Sequence, residues 1–243
     1  MPTAEKARLF VPDALHTGAT VALGADQAHY LRHVLRLGSG DAVALFNGRD
    51  GEFRAVIAQL GKKDIALEVE TQLRPFMASG DIWLGFAPIR QGRIEFIVEK
   101  ATELGIGRLI PVLTRRTQVT KINAERLAAH AREAAEQCER LDVPEVAPAV
   151  SLEKLISEWP AERRLFFCAE RDAAPALLVA AQHWPKDAPC GLLIGPEGGF
   201  APEDVAMVRK ASNMEPVSLG PTILRAETAA LAALAILQAV RQN

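Results

Sequence analysis

Two loops in the C-terminal half of the sequence carry the residues best suited to chemistry. The first follows the apolar run LLI and reads GPEGG, residues 195–199, which we call the GPEGG loop. It lacks the Lys and Ser/Thr of a phosphate-binding P-loop, and Glu197, Glu203 and Asp204 would repel an anion at the start of the following helix. A neutral or cationic ligand, approached closely by glycine backbone, is therefore expected. The alternative is a turn that caps an acidic helix.

The second loop belongs to the segment LGPTILRAETAA, residues 219–230, where the final helix is expected to start near Arg225. A cation in the first turn of a helix opposes the helix dipole, which Glu227 offsets in part. Its presence against this preference predicts that Arg225 faces an anion or a developing negative charge. The alternative is a surface arginine paired with Glu227.

Positive charge is concentrated in one part of the chain. The net charge is −2, from 28 Lys and Arg against 30 Asp and Glu, which argues against a protein that coats nucleic acid non-specifically. Between Leu104 and Ala124 there is no acid, and the basic residues there are Arg108, Arg115, Arg116 and Lys121. Contact with nucleic acid, if made, is expected to be local.

A helix predicted over residues 123–140 gathers polar side chains on one face, at spacings of three and four residues: His130, Glu133, Gln137 and Arg140. The alternative is an ordinary solvated face. His29 and His33 have the spacing of metal ligands but lack the Glu of an HExxH motif, and the 3 cysteines are widely spaced. No metal is expected.

The elements that would position these residues fall into two groups. Residues 8–72 contain five short apolar runs separated by Gly-rich turns, which indicates a small β-barrel or sandwich. One helix is expected over residues 25–37, with Leu31, Val34 and Leu35 on its apolar side. Residues 71–80 are interpreted as a linker.

Beyond residue 80, strand-like and helix-like patterns alternate, with helices expected over residues 91–104 and 123–140 among others. This alternation predicts an α/β domain, a mainly parallel sheet with helices on both faces. Ligands bind such sheets at the carboxyl ends of the strands, where both loops lie. The longest apolar stretch, residues 229–240, is short of the ~20 residues of a membrane span. With no secretory signal visible, a cytoplasmic protein without membrane contact is expected.

Five segments in fixed order resemble the ribosomal RNA small-subunit methyltransferase E family: HYLRHVLRL (29–37), KATELGIGRLIPV (100–112), EAAEQCERLDVPE (133–145), LLIGPEGGF (192–200) and LGPTILRAETAA. The match runs from about residue 8 to the C-terminal helix. The resemblance implies a PUA-like, RNA-binding β-barrel over residues 1–72. It also implies a SPOUT α/β methyltransferase domain with a trefoil knot over residues 73–243, and a homodimer.

The reaction implied by the resemblance is methylation of N3 of a uridine in 16S ribosomal RNA, with S-adenosylmethionine (SAM) as cofactor and 16S rRNA or the small ribosomal subunit as partner. The positions matching the family's cofactor pocket are Leu193, Ile194, Gly195, Glu197, Gly198, Gly199, Leu219, Gly220, Ile223, Leu224 and Arg225. Positions expected near the RNA or a second subunit are Arg116, Glu133, Gln137 and Arg140. Charge adds Arg32, Arg36, Arg115 and Lys121 to the expected RNA-binding residues.

Methylation at N3 requires an unpaired base and removal of the N3 proton. Arg225 is the candidate for stabilising the negative charge on the uracil. Glu197 and Glu227 are candidates for accepting the proton, and catalysis by orientation alone is the alternative. Thr222 and Asp142 depart from the basic residues expected in the family, which puts individual phosphate contacts in doubt. Other SPOUT targets, a ribose 2′-hydroxyl or guanine N1, and a non-catalytic rRNA-binding assembly factor remain alternatives.

Overall fold

The computed structural model describes residues 5–61, 64–90, 92–119, 121–169 and 174–242. These residues form two compact units. The first contains the chain up to Ser79 together with Ala135–Val143, and the second contains Gly80–Ala134 and the chain from Pro144. Gln91 and Glu170, predicted to lie at the ends of a helix and a strand, are outside the described residues.

The first unit contains a five-stranded sheet made of β1 (Arg8–Phe10), β2 (Thr20–Leu23), β3 (Ala42–Phe46), β4 (Glu52–Leu60) and β5 (Ile65–Arg74). The strand order is β1-β3-β4-β5-β2, with β1 parallel to β3 and the other pairs antiparallel. All five predicted strands are confirmed. The prediction of a linker from residue 71 is wrong for its first residues, because β5 stays paired with β4 as far as Arg74.

The helix predicted over residues 25–37 is shorter and less regular than expected. The α-helix α1 (Ala25–His29) continues as a π-helical turn over Tyr30–Val34, closed by a hydrogen bond of 3.0 Å from the Leu35 amide to the Tyr30 carbonyl. A π-turn rotates the chain differently from an α-helix. Leu31 is therefore buried as predicted, whereas Val34 is 60% exposed, so its predicted place on the apolar side is wrong.

A charged network closes the first unit. Glu52 lies between Arg8 and Arg74, with nitrogen–oxygen distances of 2.5 and 2.7 Å. Arg8 also donates to the carbonyl oxygens of Ala135, at 2.7 Å, and Arg140. The Ala135 carbonyl lies in the last turn of the helix that ends at Gln137, and the Arg140 carbonyl lies beyond it. The guanidinium therefore supplies hydrogen bonds that a helix C-terminus lacks.

The second unit contains seven strands: β6 (Ile82–Phe86), β7 (Arg108–Leu113), β8 (Glu145–Val146), β9 (Val150–Ser151), β10 (Arg164–Cys168), β11 (Cys190–Ile194) and β12 (Met214–Val217). Six of them follow the order β12-β10-β11-β6-β7-β8, and β9 pairs with β7. Each of these pairings is parallel. The predicted parallel α/β organisation is thus confirmed.

The helices between these strands are α2 (Arg93–Glu103), α3 (Ala124–Gln137), α4 (Leu152–Glu158), α5 (Leu177–Gln182), α6 (Pro202–Val208) and α7 (Ala226–Gln242). Phe167 of β10 lies in one apolar cluster with Leu155 of α4 and Val208 of α6. Its neighbour Phe166 instead lines a small cavity with Leu237 of α7. Because successive strand side chains point to opposite faces, helices cover both faces of the sheet.

Helix α3 ends earlier than predicted. It stops at Gln137, and Glu139 has a φ of 61°, which turns the chain out of the helix. Arg140 therefore does not continue the helix face, and that prediction is wrong. Its guanidinium is buried and lies 3.1 Å from Asp142, which also accepts a hydrogen bond of 2.6 Å from the Ser79 hydroxyl.

Candidate functional site

A pocket opens at the carboxyl ends of β10, β11 and β12 and encloses about 450 Å³ of empty space. Its lining comes from the ends of these strands, the loops after them and the start of α7: Cys168, Ala169, Ile194, Gly195, Val217, Ser218, Leu219, Gly220, Thr222, Leu224, Ala226 and Ala229. None of these lining residues is charged. We call this the neutral pocket.

The GPEGG loop, which follows β11, contributes Gly195 to the neutral pocket. The loop is closed by a hydrogen bond of 2.8 Å from the Gly199 amide to the Pro196 carbonyl, and Gly199 has a φ of 66°, where glycine is favoured. A Cβ at Gly195 would lie 3.1 Å from the ring of Phe200. A side chain at position 195 would therefore push this ring aside.

The loop after β12 forms the opposite wall of the neutral pocket. Gly220 has a φ of 121°, a conformation that other residues rarely adopt. Its amide donates to the Ser218 hydroxyl at 3.2 Å, and the Ser218 amide donates to the Pro175 carbonyl at 2.9 Å. The wall is thus shaped by backbone geometry.

The structure brings only part of the predicted cofactor set to this pocket. Five members line it: Ile194, Gly195, Leu219, Gly220 and Leu224. The Leu193 side chain is fully buried in the core, and Ile223 is 65% exposed. Neither Gly199 nor Arg225 belongs to the lining. The lining also contains seven residues outside the predicted set: Cys168, Ala169, Val217, Ser218, Thr222, Ala226 and Ala229. The first four lie at or directly after the ends of strands predicted from the sequence, and Thr222 had been noted only for its departure from a basic residue.

A second, larger cavity lies on the other side of the GPEGG loop. It holds about 1070 Å³ of open space and is lined by Arg90, Arg93, Arg115, Arg116, Thr117, Gln118, Glu197 and Gly198. Four arginines face one glutamate, so we call it the basic cleft. Glu197 and Gly198, predicted to bind the cofactor, lie here.

Arg90 and Arg93 were not among the sequence-predicted site residues. Arg90 follows β6, and Arg93 is the first residue of α2. A signal for Arg93 was available, since a cation in the first turn of a helix opposes the dipole there as well. The sequence-based prediction considered only the loops after β11 and β12 and not the one after β6.

Ion pairs decide which cleft arginines carry uncompensated charge. Arg93 lies 3.3 Å from Glu227, which is mostly buried. The alternative reading of Arg225 as the partner of Glu227 is therefore wrong. Within the described part of the chain, the exposed Arg225 guanidinium has no ion-pair or hydrogen-bond partner.

Arg115 is balanced by acids that are distant in sequence. It lies 3.4 Å from Asp204 and 4.0 Å from Glu153. Asp204 is only 1% exposed and accepts a hydrogen bond of 3.2 Å from the Ala201 amide at the start of α6. This carboxylate therefore caps its own helix, as the alternative interpretation of the acidic helix start predicts, and it also holds Arg115.

Arg116 has a different environment. Its guanidinium Nη1 donates to the Gly198 carbonyl at 2.8 Å, so this residue contacts the GPEGG loop directly. Lys121, the last basic residue of the run, is exposed. The single basic run seen in the sequence therefore contains three different situations: a balanced, a loop-bound and a solvated cation.

The remaining predicted RNA-binding residues lie on other surfaces. In the first unit, Arg32 is half-buried and donates to the Gly61 carbonyl, whereas Arg36 is exposed. On α3, Glu133 and Gln137 are exposed. Arg140, whose guanidinium is held by Asp142 as described above, is the buried member of this set.

The described residues contain neither a cluster suited to a metal ion nor a helix suited to a membrane. Among the described residues, no three His, Cys, Asp or Glu side chains gather closely enough to hold a metal ion. In the same part of the chain, no helix has the length and apolar character needed to cross a membrane.

Comparison with known proteins was made by sequence and by structure. A family model described as an RNA methyltransferase domain matches residues 77–238, and one described as an RNA methyltransferase PUA domain matches residues 23–70. Ribosomal RNA small subunit methyltransferase E of Rickettsia conorii is 32% identical over 94% of this chain and 93% of the relative. Its Synechocystis namesake is 33% identical over 97% of this chain and 78% of the relative.

Two solved structures extend the similarity to three dimensions. A Legionella pneumophila protein in complex with the bound cofactor SAM has a TM-score of 0.87 and 30% identity, covering 97% of this chain and 98% of the other. Ribosomal RNA small subunit methyltransferase E of Neisseria gonorrhoeae, bound to S-adenosyl methionine, has a TM-score of 0.85 and 26% identity, with the same coverage. Since the RNA methyltransferase model matches most of the chain and full-length relatives exceed 30% identity, the chain belongs to the ribosomal RNA small subunit methyltransferase E family.

Proposed function

We propose that the protein binds SAM in the neutral pocket and methylates N3 of a uridine in 16S ribosomal RNA held in the basic cleft. The observation that carries this proposal is the position of the GPEGG loop. Gly195 lines the neutral pocket, whereas Glu197 and Gly198 line the basic cleft. The two cavities are therefore neighbours, as a reaction between a small cofactor and a polyanion requires.

The chemistry of the neutral pocket fits SAM. This cofactor carries a sulfonium cation and no phosphate, and the residues that line the pocket include no lysine of the kind that a phosphate-binding P-loop supplies. Glycines at positions 195 and 220 let backbone groups approach a ligand closely. The proposed ligands are the lining residues and the neighbouring loop positions Leu193, Gly199, Ile223 and Arg225.

When bound, SAM supplies an electrophilic methyl group. The chain's own residues must then orient the uracil and deal with the N3 proton and the charge left on the ring. Arg225 precedes α7 next to Ala226 of the neutral pocket and has a free guanidinium. We assign to it the stabilisation of negative charge on the uracil oxygens, which a preorganised cation does most effectively in the transition state.

Two carboxylates remain candidates for accepting the N3 proton. Glu197 is exposed on the lining of the basic cleft, where a splayed-out base would enter. Glu227 is mostly buried and paired with Arg93, so its negative charge is already compensated. Glu197 is therefore the better-placed acceptor, and orientation alone is the alternative.

We base the proposed domain roles, oligomeric state and location of this chain on its family. We propose that residues 1–72 form a PUA-like barrel that binds RNA and that residues 73–243 form the catalytic SPOUT domain. In this proposal the GPEGG loop and the segment 219–230 belong to a trefoil knot, the enzyme works as a homodimer, and its ribosomal substrate places it in the cytoplasm. The basic cleft supplies phosphate contacts that position the RNA without reading its sequence.

The function is tested by incubating the protein with radiolabelled SAM and either protein-free 16S RNA or assembled small subunits, followed by nucleoside analysis. The expected product is 3-methyluridine at one site. A label on a ribose 2′-hydroxyl or on guanine N1 would assign a different target. RNA binding without transfer to either substrate would instead favour the assembly-factor alternative.

A further inference from the structure

We propose that Arg116 is a positioning residue that holds the GPEGG loop in the conformation that binds the cofactor; this inference rests on the proposed function. The resemblance had placed Arg116 near the RNA. Its structural environment instead connects it to the loop that separates the neutral pocket from the basic cleft.

The backbone that carries Arg116 is fixed by a closed turn. The Thr117 amide donates to the Thr114 carbonyl at 3.1 Å, and the Thr114 amide donates back to the Thr117 hydroxyl at 2.9 Å. The turn directly follows β7, whose four central residues are buried. Arg116 is thus presented from a rigid strand end, as a positioning residue requires.

Two kinds of contact join Arg116 to the loop. The guanidinium donates to the Gly198 carbonyl at 2.8 Å, a charge-assisted hydrogen bond. The aliphatic stem runs alongside the same residue, since a Cβ placed at Gly198 would lie 3.8 Å from the Arg116 Cδ and 3.9 Å from its Cβ. Stem and head therefore both contact the outer side of the loop.

The inner side of the loop is supported separately. The Phe200 ring lies against Gly195 and meets the Phe167 ring edge-on at a centroid distance of 6.3 Å. The segment 195–200 is consequently held from the core by Phe200 and from the cleft by Arg116. Within the part of the chain that the structure describes, removing the outer support would leave residues 196–199 with one hydrogen bond, from the Gly199 amide to the Pro196 carbonyl.

Arg90 provides a matched control. It lines the same basic cleft and is exposed, and within the described residues its side chain forms no hydrogen bond or ion pair with the GPEGG loop. Arg116→Met keeps most of the stem but cannot donate a hydrogen bond, and Arg116→Lys restores a cationic donor. Arg90→Met removes the same charge from the cleft without removing a hydrogen bond to the loop.

The experiment is a calorimetric titration of each variant with SAM in the absence of RNA. We expect Arg116→Met to bind SAM roughly tenfold more weakly, the effect of one charge-assisted hydrogen bond. Arg116→Lys should recover part of this loss, and Arg90→Met should bind SAM as the wild type does. Amide hydrogen exchange at Gly199 should be faster in Arg116→Met alone, a readout that requires no cofactor.

Unchanged SAM affinity and unchanged Gly199 exchange in Arg116→Met would overturn the inference while leaving the proposed function intact. An equal loss of SAM affinity in Arg90→Met would overturn it too, because cleft charge and not loop position would then be responsible. If the wild type fails to bind SAM, the proposed function fails, and the Gly199 exchange rates still decide whether Arg116 holds the loop.

Discussion

The neutral pocket and the basic cleft lie on either side of one five-residue loop, yet they differ in almost every physical respect. The neutral pocket is lined by small and apolar residues with no charged side chain, whereas the basic cleft has four arginines and one glutamate and is more than twice as large. The difference teaches how one loop can serve two substrates of opposite character. In the proposed function, backbone fit at short range would select the cofactor, and positive charge would attract the RNA.

Helix starts show the same contrast at the scale of single residues. Arg93 begins α2 and Arg225 immediately precedes α7, so both cations oppose a helix dipole. Arg93 is compensated by Glu227 at 3.3 Å. Arg225 has no such partner within the described residues, which leaves its guanidinium available to a reacting base.

The largest expected effect comes from Arg225. If it stabilises charge that develops during transfer, Arg225→Ala should lower kcat on the order of 10²-fold or more while changing SAM affinity little. Arg225→Lys should recover only part, since an ammonium lacks the planar fork of a guanidinium. Single-turnover methylation alongside SAM titration measures both quantities. Loss of SAM affinity with a normal rate at saturation would move Arg225 from catalysis to the cofactor site.

The second-largest expected effect comes from filling the neutral pocket, which should weaken SAM binding without weakening RNA binding. Ala229 of α7 lines the pocket, so Ala229→Leu would place three additional carbon atoms in it. We expect SAM binding to weaken about tenfold or more, with RNA affinity retained. Ala235→Leu, at an exposed position of the same helix, is the control. Normal SAM affinity in Ala229→Leu would show that the cofactor binds elsewhere.

Smaller, graded effects are expected within the basic cleft. Removing one cation that binds a phosphate should reduce the slope of log affinity against log salt by about 0.7 for single-stranded RNA. Arg90→Ala should approach this value, whereas Arg115→Ala should change the slope less, because Asp204 and Glu153 already balance Arg115. Filter binding over a salt series measures the slopes. Equal slopes for both variants would mean that RNA displaces these ion pairs.

The smallest expected effect is the pH dependence of the stability that Glu52 gives to the first unit. Burial alone would raise the pKa of Glu52, but hydrogen bonds from Arg74 and Arg8 outweigh it and hold the pKa below the ordinary 4.5. The ionised carboxylate therefore stabilises the first unit above about pH 4.5, and this contribution is lost as the pH falls through the lowered pKa.

Thermal unfolding of the wild type and Glu52→Gln as a function of pH tests this effect. The difference in Tm between them should be largest near neutral pH and shrink below about pH 4.5. A difference that stays constant down to about pH 3 would show that the Glu52 charge does not stabilise the first unit.

The sequence predicted the order of strands and helices well, because apolar periodicity is a local property. It located both loops of the neutral pocket for the same reason, as they directly follow apolar strands. It misplaced Val34 because a π-helical turn leaves no mark in the spacing of apolar residues. It did not reveal the pairing of Arg115 with Asp204, because these two residues are 89 positions apart in sequence. Arg90 and Arg93 join the cleft only when β6 and β7 lie side by side in the sheet.

The discontinuity of the first unit bears on how the chain folds during its synthesis. Ala135–Val143 belong to this unit although more than fifty residues separate them from Ser79. When residues up to Ser79 have left the ribosome, Arg8 still lacks the Ala135 and Arg140 carbonyls, and the Phe10 amide still lacks the Glu136 carboxylate 2.9 Å away. The first unit therefore cannot be completed until residues 80–134 of the second unit have been translated, so its folding cannot finish before synthesis of the second unit has begun.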